Sequence, residues 1–384
     1  MTEKMKPSGI AWIGDIPQDW KCKRYRFCGN VQYGYPFNSD YFSSEETGFP
    51  LIRIRDITSG EIATYYEGTY PSEYVVQSGD VLIGMDGDFN VRIWKNRDAL
   101  LNQRCCRVFD SQQISKRFMA YYLPHYLKVI NDLTWSTTVK HLLADDINNI
   151  YVSYPGMREQ QAIADFLDTQ CAKIDSVIAD IEKQIETLQK YKKSLIIETI
   201  TNRKANWKYG RIKDLMTLQR GHDLPQEEFV SGNVPVYGSN GVIGYHNIPT
   251  TAGPCVTIGR SGSVGALNYV NCDFWAHNTA IFIANSKGNH IRYLYYVLQS
   301  FDIKELANGS AVPTLDRKKV EGMHLYFTLD PIEQREIANY LDARIAKFNQ
   351  IIDVKQLQLD TIRQHKKSLI YEYVTGKKRV TKVN

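Results

Sequence analysis

EQQAIADFLDTQCAKIDSVI, beginning at Glu159, and EQREIANYLDARIAKFNQII, beginning at Glu333, are two versions of one segment set 174 residues apart. The register holds without a gap through YKKSLIIETI and HKKSLIYEYV, so that Lys192 to Ile196 meets Lys366 to Ile370. Solenoid repeats have periods of about 20–50 residues. A period this long means that each unit contains a whole domain followed by the shared segment.

Both copies read as long helices. Cys171, Ile174, Ile178, Ile181, Ile185, Leu188 and Leu195 fall on alternating steps of three and four, interrupted by Lys192, which is the spacing of a coiled-coil seam. The second copy keeps Ile345, Phe348, Ile352, Leu359, Ile362 and Leu369, with Lys355 and Lys366 as interruptions. Asp330-Pro331-Ile332-Glu333 offers an N-cap carboxylate, a proline at the first helical position and a glutamate placed to reach back. Asn202 and Gly376, at matching places, are expected to form left-handed C-terminal caps. Some 40 residues at ~1.5 Å each give helices roughly 60 Å long. A lone amphipathic helix of that length leaves its stripe in water, so the two copies are expected to pair antiparallel about a pseudo-twofold axis.

The intervening segments are distantly related. Each opens near a Trp-Lys pair (Trp20-Lys21, Trp207-Lys208), has a central strand ending in glycine (Gly79–Gly84, Pro254–Gly259) and continues into a Tyr-rich helix (Phe118–Leu123, Tyr293–Leu298). Runs such as Pro50–Arg55 and Ala280–Ala284, bounded by turn residues, predict a curled sheet with a few helices. The expected fold is therefore α+β. Its segments are a globular domain over 1–155, a helix over 156–203, a second globular domain over 204–329 and a second helix over 330–384.

The 384 residues are 43% apolar and 23% charged, ordinary for a globular chain. No apolar h-region opens the sequence and no apolar run is long enough to span a bilayer, which points away from secretion and membranes. The seven cysteines form no CxxC pair, and a reducing, cytoplasmic setting is expected. The net charge is +5, and the basic excess lies in the second half: 12 basic and 9 acidic residues over 204–329, 11 and 7 over 330–384. That balance permits nucleic-acid binding through local patches.

Catalytic motifs are missing from the sequence. There is no phosphate loop or HExxH helix, the eight histidines are scattered, Asp86-Gly87-Asp88 reads as a surface turn, and Gly259–Gly265 fits neither GxGxxG nor GxSxG. What recurs in both globular parts is polar loops bearing groups that make bidentate contacts with base edges. In the first part these are Arg53 and Arg55, expected on one strand face, with Arg92, Lys95, Arg97, Asn102, Gln103, Arg104, Trp135, Lys140 and His141. In the second they are Arg220, His222, Tyr237, Ser239, Asn240, Arg260, Ser261, Ser263, Asn308 and Ser310. No metal ligands are expected.

Along essentially its whole length the chain resembles the specificity (S) subunits of type I restriction-modification systems. The residues that carry the resemblance are Ser8–Trp20, Gly84–Asn90 running on to Ala99–Arg104, the two EQxxIAxxLD…KKSLI helices, Pro235–Gly241 and Ile258–Gly265. The resemblance implies two target-recognition domains, each reading one half of a bipartite, asymmetric double-stranded DNA target, and helices that set the gap and dock two methyltransferase (M) subunits. Restriction (R) subunits complete the nuclease. It also implies that this chain is non-catalytic and holds no cofactor, with AdoMet on the M subunit and ATP and Mg on the R subunit. Phe166, Tyr191 and Tyr340 are candidate contacts to M subunits. Two other classes stand against this reading: a coiled-coil scaffold that binds only protein, and an enzyme acting alone. The first leaves the paired polar loops unexplained, and the second needs a nucleophile and base that the sequence does not display.

Overall fold

The computed structural model describes residues 4–133, 140–202, 204–308 and 313–380. The chain folds into two compact units, Met1–Ala179 with Leu359–Asn384, and Asp180–Gln358. The division runs through both long helices, Met157–Thr201 and Pro331–Val374, so each unit is a globular part plus a portion of each helix.

The first unit is built on a four-stranded antiparallel sheet in the order Val91–Ile93, Val81–Gly84, Cys105–Phe109, Asn30–Tyr33. Beside it lies a five-stranded sheet in which Ala99–Leu101 runs parallel to Phe49–Ile52. Trp20, Tyr25, Ile83, Val108, Phe118 and Tyr122 form the main core. Ile163 and Leu167 of the first long helix and Val374 of the second are buried in that same core. The helices are thus parts of the unit, each giving one stripe to the sheet side.

The second unit repeats the plan. Its four-stranded sheet runs Leu267–Val270, Cys255–Gly259, Ala280–Asn285, Thr217–Arg220, and a three-stranded sheet again contains a parallel pair, Val234–Gly238 with Trp275–Ala276. Tyr293, Leu294 and Val297 of the Tyr-rich helix Ile291–Gln299 pack with Val256, Ile258 and Phe327, and with Ile200 and Leu341 of the long helices.

Antiparallel pairing is visible inside each unit. In the first, Phe166 packs against Tyr373 with ring centroids 4.5 Å apart, and Lys366 Nζ bonds Asp175 Oδ1 at 2.6 Å. In the second, Lys192 Nζ bonds Asn349 Oδ1 at 2.8 Å and Lys355 reaches Gln184. Lys192 and Lys366 occupy one position of the repeat, and so do Asp175 and Asn349. The seam interruptions are therefore a polar layer satisfied across the helix pair, a device that fixes register at some cost in stability.

The repeat also explains how helix is joined to globular part. Gln160 Oε1 accepts the Ser115 N–H and its amide donates to the carbonyls of Gln113 and Pro155. Gln334 does the same with the His290 N–H, the Thr328 carbonyl and Asn289 Oδ1. Arg117 and Tyr121 hold Asp168 in the first unit, and Arg292 and Tyr296 hold Asp342 in the second.

Three local expectations are corrected. The strand over 50–55 stops at Ile52, and Ile54–Ser59 is a short helix. The cause is the Asp56 carboxylate, which accepts the Arg53 N–H at 2.8 Å while Asp56 N–H donates to the Arg53 carbonyl. Arg53 and Arg55 consequently do not share a strand face. Gly376 has φ +71, but Asn202 is not among the positive-φ residues. Its N–H continues the helical bonding to the Glu198 carbonyl instead. Asp330 caps the second long helix through the Ile332 N–H, whereas Glu333 turns away from the cap to bind Lys204 Nζ and Trp207 Nε1. A cation and a buried indole compete better for that carboxylate than one more backbone N–H does.

Candidate nucleic-acid interface

Two loops built on the same hydrogen-bond frame organise the polar surface. In the first unit Gly84 N–H donates to the Asn90 carbonyl (2.9 Å), Met85 N–H to the Arg104 carbonyl (3.0 Å), and the Met85 carbonyl accepts from Leu142 N–H (2.7 Å). In the second, Gly259 N–H donates to the Ala266 carbonyl (2.7 Å), Arg260 N–H to the Thr279 carbonyl (2.8 Å), and the Arg260 carbonyl accepts from Leu315 N–H (2.8 Å). Asp86 bridges to His141 as Ser261 bridges to Thr314. Gly87 and Gly262 hold φ of +74 and +77, a region that side-chain-bearing residues avoid. The Asp86-Gly87-Asp88 segment is accordingly a turn. Among the described residues no group of three or more His, Cys, Asp or Glu is placed to hold a metal.

Many of the sequence-predicted side chains of the first unit are already engaged. Arg92 donates to the carbonyls of Ile57 and Thr58, closing the C-terminus of the short helix. Asn102 is buried and accepts the Gln103 N–H. Arg97 donates to Tyr65 Oη and lies 3.8 Å from Glu46, while Arg55 donates to Thr64 Oγ1. Lys140 is tied to Asn131, and His141 Nδ1 lies 2.6 Å from Asp86 Oδ1, with Arg104 3.8 Å from the same carboxylate. Arg53, Lys95 and Gln103 are exposed, and their side chains have no hydrogen-bond or ion-pair partner among the described residues. Trp135 lies outside the described residues.

A different arginine carries the internal load. Arg107, passed over in the sequence, is buried and donates to Gln32 Oε1, to the carbonyls of Val75 and Glu73, and to Asp80 Oδ2 at 2.8 Å. Burial works to raise the Asp80 carboxyl, but the Gln77 N–H, Lys116 and Arg107 outweigh it and hold it below its ordinary range.

In the second unit the structure brings distant candidates together. Arg220, Arg260 and Asn308 line one cleft of about 260 Å³ with Thr314, Asp316 and Arg317. Asn240 and Ser263 line another with Lys304 and Pro313. Ser239, at the turn between Val234–Gly238 and Gly241–His246, backs the loop so closely that a Cβ on Gly259 would stand 2.5 Å from the Ser239 carbonyl oxygen and 2.0 Å from that of Ser263. Arg220 pairs with Asp223 at 2.9 Å, whose carboxyl is held below its usual range by the Asn278 amide and the charges of Arg220, His277 and Arg260. His222 is exposed, with its ring near Trp275 and Phe282. Tyr237 packs on Phe274 instead of opening to the cleft. Ser310 lies outside the described residues. Arg317 and Lys304 were missed, although the run Arg317-Lys318-Lys319 was a legible basic signal.

Of the candidate contacts to M subunits, Tyr191 and Tyr340 are exposed. Phe166 is instead packed on Tyr373. No described helix is long and apolar enough to cross a membrane, and the described cysteines are all free thiols.

The described residues thus form a twice-built α+β module with polar, arginine-bearing loops and a portion of both long helices in each unit. Comparison with known proteins makes this specific: the family described as "Type I restriction modification DNA specificity domain" matches residues 17–187 and 204–360, and the chain belongs to it, with two copies. The EcoBI specificity subunit of Escherichia coli is 40% identical over 175 residues, a match covering 45% of this chain and 37% of that protein. The MjaVIII specificity subunit of Methanocaldococcus jannaschii is 22% identical over 96% of this chain and 95% of its own length. Among solved structures, a chain from a study of complex assembly and conformational transition of the type I R-M system superposes with TM-score 0.74 at 14% identity, over 94% of this chain and 98% of that one. This last likeness concerns the fold.

Proposed function

We propose that this chain chooses the DNA site for a type I restriction-modification complex, each globular domain reading one half of a bipartite, asymmetric double-stranded target. The observation that supports this best is the shared loop frame around Met85 and Arg260, which carries different side chains in the two domains. A common frame gives both domains one docking mode, and different side chains give them different half-sites. Exposed cations such as Lys95 serve phosphate contacts and fix position, while arginine and amide groups on the fixed loops read bases. The four segments 1–155, 156–203, 204–329 and 330–384 are the recognition domain and spacer helix of each repeat.

In this reading the chain is non-catalytic. The helices set the gap between half-sites and dock two M subunits, which bring AdoMet. R subunits bring ATP and Mg. The test is methylation-sensitive sequencing of host DNA with and without the gene, the M partner being active in both. A bipartite methylated motif that vanishes with the gene is expected. Unchanged methylation overturns the proposal and leaves a protein-binding scaffold as the better account.

A further inference from the structure

Arg260 differs from the other guanidinium groups of its cleft. Arg220 is paired with Asp223, and Arg317 donates to the Leu218 carbonyl. Asp316 also lines the cleft, but its carboxylate accepts the Lys318 N–H at the start of the helix Arg317–Glu321. Arg260 is half-buried, and its side chain has no hydrogen-bond or ion-pair partner among the described residues. Its backbone, by contrast, is fixed on both sides by Thr279 and Leu315. Gly259 is wedged against two carbonyls, and Gly262 and Gly265 hold φ of +77 and +76. A guanidinium with open donors in a cleft is free to take acceptors from a ligand. A phosphate anchor needs no such rigidity, since a flexible lysine serves as well. A planar fork carried on a fixed backbone suits paired, coplanar acceptors.

The equivalent place in the first domain has the opposite polarity. Met85 stands where Arg260 does, and the next residue, Asp86, presents a carboxylate held by His141 and Arg104. Neither Met85 nor Asp86 can offer a guanidinium fork, and the neighbouring Arg104 guanidinium lies 3.8 Å from the Asp86 carboxylate.

We propose that Arg260 reads a guanine, through its O6 and N7 acceptors in the major groove, in the half-site taken by the second domain, and that the first half-site is not read this way at the corresponding position. The inference rests on the proposed site-selection role. The test maps methylated sequences produced by the complete methyltransferase complex containing the wild-type chain, Arg260→Ala, Arg260→Gln or Arg260→Lys. One guanine in one half-site is expected to become degenerate in Arg260→Ala, with discrimination falling about 5- to 150-fold. Arg260→Gln should shift that position toward adenine, the base whose edge an amide matches. The other half-site should be unchanged, which also reports an intact complex.

An unaltered motif with uniformly weaker methylation makes Arg260 a phosphate anchor and overturns the inference. So does full guanine preference in both Arg260→Ala and Arg260→Lys, because a lysine alone can still reach O6 and N7 whereas an alanine cannot. If a variant gives no methylation, selection of bound duplexes from a random library by the same complex decides between these outcomes. Absence of any bipartite motif with the wild-type chain would instead refute the site-selection role itself.

Discussion

Replacing Gln160 by Leu should lower the unfolding temperature of the first unit by roughly 6–12 °C, and the reasoning is entirely local. Gln160 is completely buried and makes three hydrogen bonds of 2.8–2.9 Å, to the Ser115 N–H and to the carbonyls of Gln113 and Pro155. Leucine fills a similar volume but leaves all three backbone groups unpaired, at about 1–3 kcal/mol each. Exchanging an amide for an isobutyl group returns about 1–2 kcal/mol of transfer free energy. A net loss of about 3 kcal/mol is a conservative balance, and for units of roughly 150–250 residues each kcal/mol corresponds to about 2–4 °C. Scanning calorimetry of the wild-type chain, Gln160→Leu and Gln334→Leu measures it. The twin bonds of Gln334 make the second variant an internal replicate. Shifts below about 2 °C in both variants would show that the glutamine clamp does not join helix to globular part.

Gly259→Ala places a Cβ against two backbone oxygens, so the loop must move. Methylation mapping should then show the second half-site lost or relaxed and the first preserved. Arg53→Ala removes an exposed, unpaired guanidinium beside the short helix. If Arg53 reads a base, it costs about 1–3 kcal/mol of discrimination at one position of the first half-site, seen as degeneracy there, whereas an unchanged motif removes it from the interface. Asp80 has a depressed carboxyl in the folded state, so its contribution is present above the ordinary carboxylate range and is lost as pH falls through the folded value. Unfolding midpoints measured from neutral to acid pH should fall more steeply for the wild type than for Asp80→Asn. Parallel curves would show that the Arg107–Asp80 pair is not linked to acid stability.

The architecture was legible because it is written in periodicity. A segment repeated 174 residues on, with apolar steps of three and four, is enough to specify two long helices and two related domains. The Tyr-rich helices and central strands followed from local composition and appear as Lys116–Leu133, Ile291–Gln299, Val81–Gly84 and Cys255–Gly259. The short helix after Ile52 did not follow, because one bond from the Asp56 carboxylate outweighs the strand pattern of Leu51, Ile52 and Ile54.

Residue types alone nominate hydrogen-bonding groups, and only the tertiary structure shows which of them are already used. Arg92, Arg107 and Arg260 are identical as letters. One closes a helix, one is buried against Asp80, and one lies open in a cleft assembled from segments near residues 220, 260 and 314. Sequence determines the helices and the repeat because those depend on neighbours one or two turns away. The function of each arginine depends on acceptors brought close by strand pairing across tens of residues, and that information exists only once the chain has folded.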